Sequence, residues 1–418
     1  MSRNAARPPR ASDPYGIGPV RSLVAPALAV VGLILIAVFS INLLNGEVPF
    51  VSGPANSNGP DANGNANPGP ALTPAPSNVV IVEPDAAFKG SIAYAKAGNI
   101  WVQSGKDVQQ LTSSGGDSMP SWSPNGEDIY FIRSKADQKG LWPARGAPTK
   151  YLLEVPDLMR VKADGSAEPE RLATGKFKKG RYTWAYWLRQ PVLSPDGKSI
   201  ALVTDAPNPD DSNVVLQFFD PATKKFRRAG VPESGVLGHQ DPEWRQDGRY
   251  LVYVKNQRDG ARGKPIIMRY DPETKKSKAL TSGGYTSPSY SPDGKYLAAT
   301  RTTTLGTDVV ILDASNGREL LRVTTDGASF SPSWSPLGDG IAYLHLVGQT
   351  VDLKLATLDG AAPSWTVKET TSLTEVSGLD AASRPDWFIP ADELPAPTPA
   401  PTPTSAPTPS ASASGTAP

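Results

Sequence analysis

Cysteine is absent from the chain, and histidine occurs only twice, as His239 and His345. Without thiols there are no disulfides, no thiolate metal sites and no thiol nucleophile. Two imidazoles cannot build a histidine-rich metal centre, which leaves carboxylates as the one metal-binding chemistry open to the chain. Charge of one sign is also lacking: 42 basic residues face 41 acidic ones, and the net charge is +1. Bulk electrostatics therefore does not call for a nucleic-acid partner. The strand-to-helix Gly-x-Ser-x-Gly turn that presents a hydrolase serine occurs nowhere. No metal and no cofactor are expected. Long apolar runs are missing too, with one exception.

The exception is residues 22–46, which carry no charged side chain. The run is long enough to cross a hydrocarbon layer of ~30 Å as a helix. It exceeds the apolar core of a cleaved signal peptide, so an uncleaved anchor is expected. Arg3, Arg7, Arg10 and Arg21 precede it against Asp13 alone, and the next basic residue beyond it is Lys89. That asymmetry predicts a basic cytoplasmic N-terminus over 1–21, a transmembrane helix over 22–46, and everything later on the periplasmic or extracellular side. Residues 47–87 are mostly Gly, Pro, Asn and Ala and read as a disordered tether. Residues 391–418 alternate Pro with Thr, Ser and Ala and read as an extended, disordered tail.

Between these ends a phrase recurs. It runs Trp122-Ser123-Pro124-Asn125-Gly126, Leu193-Ser194-Pro195-Asp196-Gly197, Trp244-Arg245-Gln246-Asp247-Gly248, Tyr290-Ser291-Pro292-Asp293-Gly294 and Trp334-Ser335-Pro336-Leu337-Gly338, with a partial copy at Trp387-Phe388-Ile389-Pro390. Strands with period-two alternation flank each tight Pro/Gly turn. A repeat of this length points to a propeller. The segment 88–390 is thus expected to form an all-β, six-bladed β-propeller. Its last blade would take three strands from the N-terminal part and one, Arg384 to Phe388, from the C-terminal part. Pairing them closes the ring and leaves no open edge in that blade. The aromatic heads of the phrases read as packing between blades, and the turn aspartates as local caps.

The phrase, together with the Leu-Thr pairs at Leu111-Thr112 and Leu280-Thr281, resembles the TolB-like propeller family, with its Trp-Asp-repeat-like, PD40-type blades. The resemblance spans about 300 residues. It implies the propeller fold and an envelope interaction module. Family members with a serine-hydrolase domain carry a motif this sequence does not contain.

Propeller topology puts the short turns on one face and the longer, more varied connections on the other, where function is expected. The most distinctive of these, residues 176–189, interleaves basic and aromatic side chains. Lys176, Lys178, Lys179, Arg181, Tyr182, Trp184, Tyr186, Trp187 and Arg189 are the candidate partner-binding residues, with Trp142 from the neighbouring segment 133–157, read as a lid. Packing of Trp184 and Trp187 between blades is the competing reading. Asp205 to Asp211 reads as an acidic surface turn, His239 as a solvent-facing loop residue, and His345 as structural. Three functions stay open on these residues. The leading one is a membrane-tethered scaffold or accessory subunit that binds a protein partner in a membrane or envelope complex. The others are a module for cell-wall polysaccharide or peptidoglycan, and a lyase or hydrolase using carboxylates around the central channel.

Overall fold

The computed structural model describes residues 88–142, 149–180, 182–206, 214–231, 238–256 and 264–395. The expected cytoplasmic segment 1–21, apolar run 22–46 and tether 47–87 lie outside these residues, as does the tail from 396 onward. The described residues form strands and turns, and no helix among them is long and apolar enough to cross a membrane.

Six antiparallel blades follow one another in the order the repeats predict; five are four-stranded and the second, with two added strands, is six-stranded. Blade 1 takes Ser91–Lys96, Asn99–Ser104 and Asp107–Gln110 from the start of the propeller and Asp386–Phe388 from its end. The closing pair is in register Ser91↔Phe388, Ile92↔Trp387 and Ala93↔Asp386. Phe88 and Trp387 meet edge to face at 5.6 Å, and the Trp387 indole N–H donates to the Lys89 carbonyl at 2.9 Å. Apolar packing continues to Leu394, beyond the expected end of the propeller at 390.

The core is divided into six clusters, one between each pair of successive blades. The second strands explain this division. In Asp128–Trp142, Ile129 and Phe131 pack towards blade 1, while Tyr130 and Ile132 pack towards blade 3. In Leu251–Lys255 the odd residues face blade 3 and the even ones face blade 5. Both faces are buried, so these strands read as continuous apolar runs. The phrase heads behave as expected. Trp334 sits between blades 5 and 6, Tyr290 between 4 and 5, and Trp387 between 6 and 1, all at least nine-tenths buried.

The largest departure from the sequence reading is blade 2. The expected lid 133–157 is an extension of the blade's own hairpin, Asp128–Trp142 paired with Thr149–Lys162 from Asp128↔Lys162 out to Trp142↔Thr149. The 176–189 segment is also a hairpin, Lys176–Lys179 with Tyr182–Ala185, and it joins the extension through Leu141↔Thr183. Alternation in 128–142 is interrupted by a bulge between Lys135 and Gln138, and that irregularity masks the strand in the sequence.

Candidate functional site

The chain enters and leaves the propeller at the end of the blades where first strands turn into second strands, because Ser91 opens a second strand and Phe388 closes a first. The opposite face carries the second-to-third and inter-blade connections. The large apolar side chains exposed among the described residues belong to such connections (Trp187, Leu305 and Val376) or to the strand ends that lead into them (Leu152, Leu346 and Val347). Single exposed apolar residues are ordinary on a soluble surface. Their collection on one face of a propeller is not.

Leu152 and Trp187 flank a cavity of about 430 Å³ at the foot of the long hairpin. Its walls include Ile132, Leu153, Pro156, Tyr186 and Leu188, with Arg189, Glu154 and Asp380 as its charged members. The size falls in the range of ligand pockets, ~300–1,000 Å³. The backbone around it is anchored at several points. Gly175 donates its N–H to the Pro156 carbonyl, and its own carbonyl accepts the Tyr186 N–H, both at 2.7 Å. The Trp187 N–H donates to Asp205 Oδ1 at 2.8 Å. Asp205 is therefore buried and structural, a correction to its reading as a surface turn; residues 207–213 of that stretch lie outside the described residues. Burial raises the Asp205 carboxyl above the ordinary aspartate range, with the Trp187 amide opposing. Burial likewise raises the Tyr186 phenol.

The structure divides the sequence-predicted site residues. Tyr186, Trp187 and Arg189 come together at the cavity, and Trp187 is 58% exposed. Trp184 instead stacks on Phe177 at 5.3 Å, and Phe177 stacks on Tyr186 at 4.2 Å, so these rings cover one another. Lys176 and Lys178 stand exposed on the hairpin. Arg181 lies outside the described residues, as do the side chains of Lys179, Tyr182 and Trp142, whose backbones are in strands. Leu152 and Leu153, within the segment read as a lid, and Leu188, within 176–189, also line the cavity, brought there by the strand pairing.

The central channel holds a second cluster the sequence reading missed. The first strands of blades 2 to 6 each contain a bulge, centred on Met119, Gln190, Asp241, Ser287 and Ser331. Each of these non-glycine residues has φ near +50°, and each precedes a proline. Proline suits a bulge because no ladder N–H is lost there. The freed N–H of each bulge residue is taken up by the preceding blade. Met119 donates to Ser383 Oγ, Gln190 to Met119 Sδ, Asp241 to Gln190 Oε1, Ser287 to Asp241 Oδ2 and Ser331 to Thr300 Oγ1, over 2.8–3.3 Å. At the sixth equivalent place stands Arg384, which reaches across to Glu243 Oε2 and the Pro288 carbonyl, both at 2.5 Å. Asp386 accepts the Trp122 N–H at 2.7 Å. Burial raises the carboxyls of Glu243 and Asp386, with Arg384 opposing in both. The channel acids are thus engaged in hydrogen bonds and ion pairs between blades. The cavity around Arg384, Gln190 and Asp241 is only about 30 Å³.

The histidines do not form a relay. His239 opens the first strand of blade 4 and is 2% exposed; its Nδ1 accepts the Leu216 N–H at 3.0 Å and its ring packs on Tyr253 at 4.7 Å. This corrects its reading as a solvent-facing loop residue. His345 Nδ1 lies 3.0 Å from Ser329 Oγ and 3.5 Å from Asp326 Oδ2. Serine and aspartate face the same ring nitrogen, whereas a catalytic triad needs them on opposite ones. Among the described residues no group of three or more His, Asp or Glu is arranged to hold a metal ion.

No family model matches the chain. It is 28% identical over 299 residues to the Tol-Pal system protein TolB of Francisella tularensis subsp. holarctica (strain OSU18), covering 65% of this chain and 59% of that protein. TolB of F. tularensis subsp. tularensis (strain WY96-3418) is 25% identical over 252 residues, covering 58% of this chain and 48% of its own length. The chain therefore spans about half to three-fifths of the length of these relatives. Among solved structures, TolB from Acinetobacter baumannii superposes with a TM-score of 0.51 at 21% identity, covering 72% of this chain and 67% of that one. A structure from Agrobacterium tumefaciens assigned to TolB gives 0.50 at 17%, covering 73% and 96%. At these identities the structural likeness speaks for the fold.

Proposed function

Taking as premise that the chain has a propeller of the TolB-like family, we propose that it is an extracytoplasmic interaction scaffold, an accessory subunit of an envelope complex, tethered to the membrane by residues 22–46. The observation that carries this reading is the gathering of exposed Leu152, Trp187, Leu305, Leu346, Val347 and Val376 on the face opposite the chain ends. Burying such side chains against a partner is favourable by about 25 cal/mol per Å² of apolar surface removed from water. The basic and aromatic residues of 176–189 form part of the docking surface, with Trp187 and Arg189 as anchors; Tyr and Trp with Arg are the side chains most enriched at interface hot spots. The channel supports the same reading, since its acids are engaged in joining blades.

The test is site-specific photocrosslinking in intact cells of the native host, with the reactive side chain placed at Leu346 or Leu305 on this face and at Thr223 on the opposite one. A single protein captured from the first two positions and not from the third is the expected result. Equal labelling of both faces, or none, overturns the scaffold reading. Carbonate extraction tests the tether: the full chain stays with the membrane pellet, and a chain lacking 22–46 is released.

A further inference from the structure

On the face where the chain enters and leaves, the central channel ends in a cavity of about 350 Å³. Its walls are the ends of first strands and the turns that follow them, drawn from blades 1, 2, 3, 4 and 6. Partly exposed Trp122, Trp244 and Phe388 give it aromatic surface, and Trp122 stacks on Phe388 at 5.2 Å. Pro124, Pro195 and Pro336 of the recurring turns add apolar edges. Its two carboxylates are already engaged: Glu243 by Arg384, and Asp386 by the Trp122 N–H. The mouth therefore suits an uncharged, apolar occupant, since a charged one would give up its hydration without gaining a partner.

The chain itself turns into this cavity. Beyond Phe388 the Glu393 N–H donates to the Pro390 carbonyl at 3.0 Å, and Ile389, Ala391 and Leu394 lie on the cavity wall. The described residues end one position later, at Pro395. From there proline occupies every second position, as Pro395, Pro397, Pro399, Pro401 and Pro403, and no side chain from Leu394 to Pro418 is charged.

We propose that residues 395–403 of the same chain lie across the channel mouth as an extended polyproline segment, with proline rings against Trp122, Trp244 and Phe388. The proposal concerns the face opposite the scaffold surface and stands without the scaffold reading. Proline-rich segments are recognised by aromatic-lined grooves, and a polyproline helix is shaped before it binds, so docking costs it little entropy. Pro395 to Pro403 spans about 25 Å at ~3.1 Å per residue, far more than a cavity of this volume measures across. Attachment at Leu394 gives the segment an effective concentration on the order of millimolar, so a contact too weak to capture a free peptide still holds it. Docked there, the segment covers Asp386–Phe388, the three residues that close the ring.

The experiment uses the purified full chain in detergent, with a photoreactive benzoylphenylalanine in place of Ala400. After irradiation and digestion, mass spectrometry should find crosslinks within one chain, from residue 400 to the peptides that carry Trp122, Pro195 or Trp244. The control keeps the probe and changes Pro397, Pro399, Pro401 and Pro403 to serine. These positions lie beyond the propeller strands, so the fold is kept while the polyproline shape is lost, and the yield should fall about tenfold. A second variant, Pro124→Asp with Gln246→Asp, puts charge on exposed positions of the mouth and should lower the yield severalfold. An unchanged circular dichroism spectrum and urea midpoint show that this variant is folded. An equal yield from the serine variant means that the segment is merely near the mouth, and overturns the proposal. So do crosslinks scattered over other surfaces, and a yield that the two aspartates leave unchanged. Crosslinked dimers whose yield rises with protein concentration overturn it too, by giving the mouth to the tail of a second copy.

Discussion

At the residue scale, the recurring turn is held by one serine. Ser194 Oγ donates to Asp196 at 2.6 Å and accepts the Ser199 N–H at 3.0 Å; Ser291 does the same with Asp293 and the Tyr296 N–H. In the third copy Arg245 replaces the serine and engages Asp247 directly. Thr112, Thr281 and Thr324 of the Leu-Thr and Val-Thr pairs accept the N–H groups of Ile100, Ile267 and Val309, and Thr374 repeats the bond with Leu353. These were legible in the sequence because the same side chain meets the same backbone group in each blade. The channel bulges were not, since Met119, Gln190, Asp241, Ser287 and Ser331 share no side-chain chemistry, and a positive φ is usually announced by glycine. The available signal was a proline two residues before every phrase head: Pro120, Pro191, Pro242, Pro288, Pro332 and Pro385. The turn aspartates also set a pH dependence. The Ser194 hydroxyl holds Asp196 below the usual aspartate range, the Ser315 hydroxyl does so for Asp313, and the Arg245 side chain brings Asp247 to about 2. Each binds fewer protons folded than unfolded, so its stabilisation is complete above the ordinary aspartate range and is lost as pH falls through it towards about 2. Urea midpoints measured downward from pH 5 should fall over that window, and Asp247→Asn should flatten part of the decline.

At the scale of elements, the blade 2 extension illustrates how a strand pair hides from a sequence. Gly175 is its hinge. A Cβ there would lie 2.7 Å from the Pro156 carbonyl and 2.9 Å from the Tyr186 carbonyl, and both contacts are backbone, which cannot swing aside. Gly175→Val is expected to detach the 176–189 hairpin from the extension while the six inter-blade clusters persist. The measurement is hydrogen exchange. Protection should drop at Tyr186 and Trp187 and stay unchanged in Leu251–Lys255. General loss of protection in both regions would show that the hairpin is needed for the propeller itself. The same glycine explains why 176–189 read as a loop: its hydrogen bonds go to Pro156 in the third strand of the blade and to Tyr186 beyond the hairpin, and no alternation rule anticipates that.

At the scale of the whole molecule, Arg384 joins the closing blade to the far side of the ring. It meets Glu243 in blade 4 and the Pro288 carbonyl in blade 5. Removing one partner of a buried pair costs ~3–5 kcal/mol, because the other charge is left without compensation. These side chains keep 19% and 17% exposure to the channel, so the discounted expectation for Arg384→Ala is about 2–3 kcal/mol in urea unfolding. Arg384→Met combined with Glu243→Leu should recover most of that loss; a double variant as unstable as the single one would assign the effect to the Pro288 contact. Six blades and the closure by both chain ends were legible because the two incomplete repeats complement each other.

The closing pair also dictates an order of events in time. The bond from Trp387 to Lys89 spans 298 residues, so blade 1 cannot be finished until the strand furthest along the chain has been synthesised. Blades 2 to 6 have all their strands before then. Until that moment Ser91–Lys96 is an unpaired edge, the kind of template that recruits strands from other molecules. Birth of the molecule, in that sense, is a single late event: the ribosome delivers a sticky ribbon of sheets, and three residues near its end convert it into a ring.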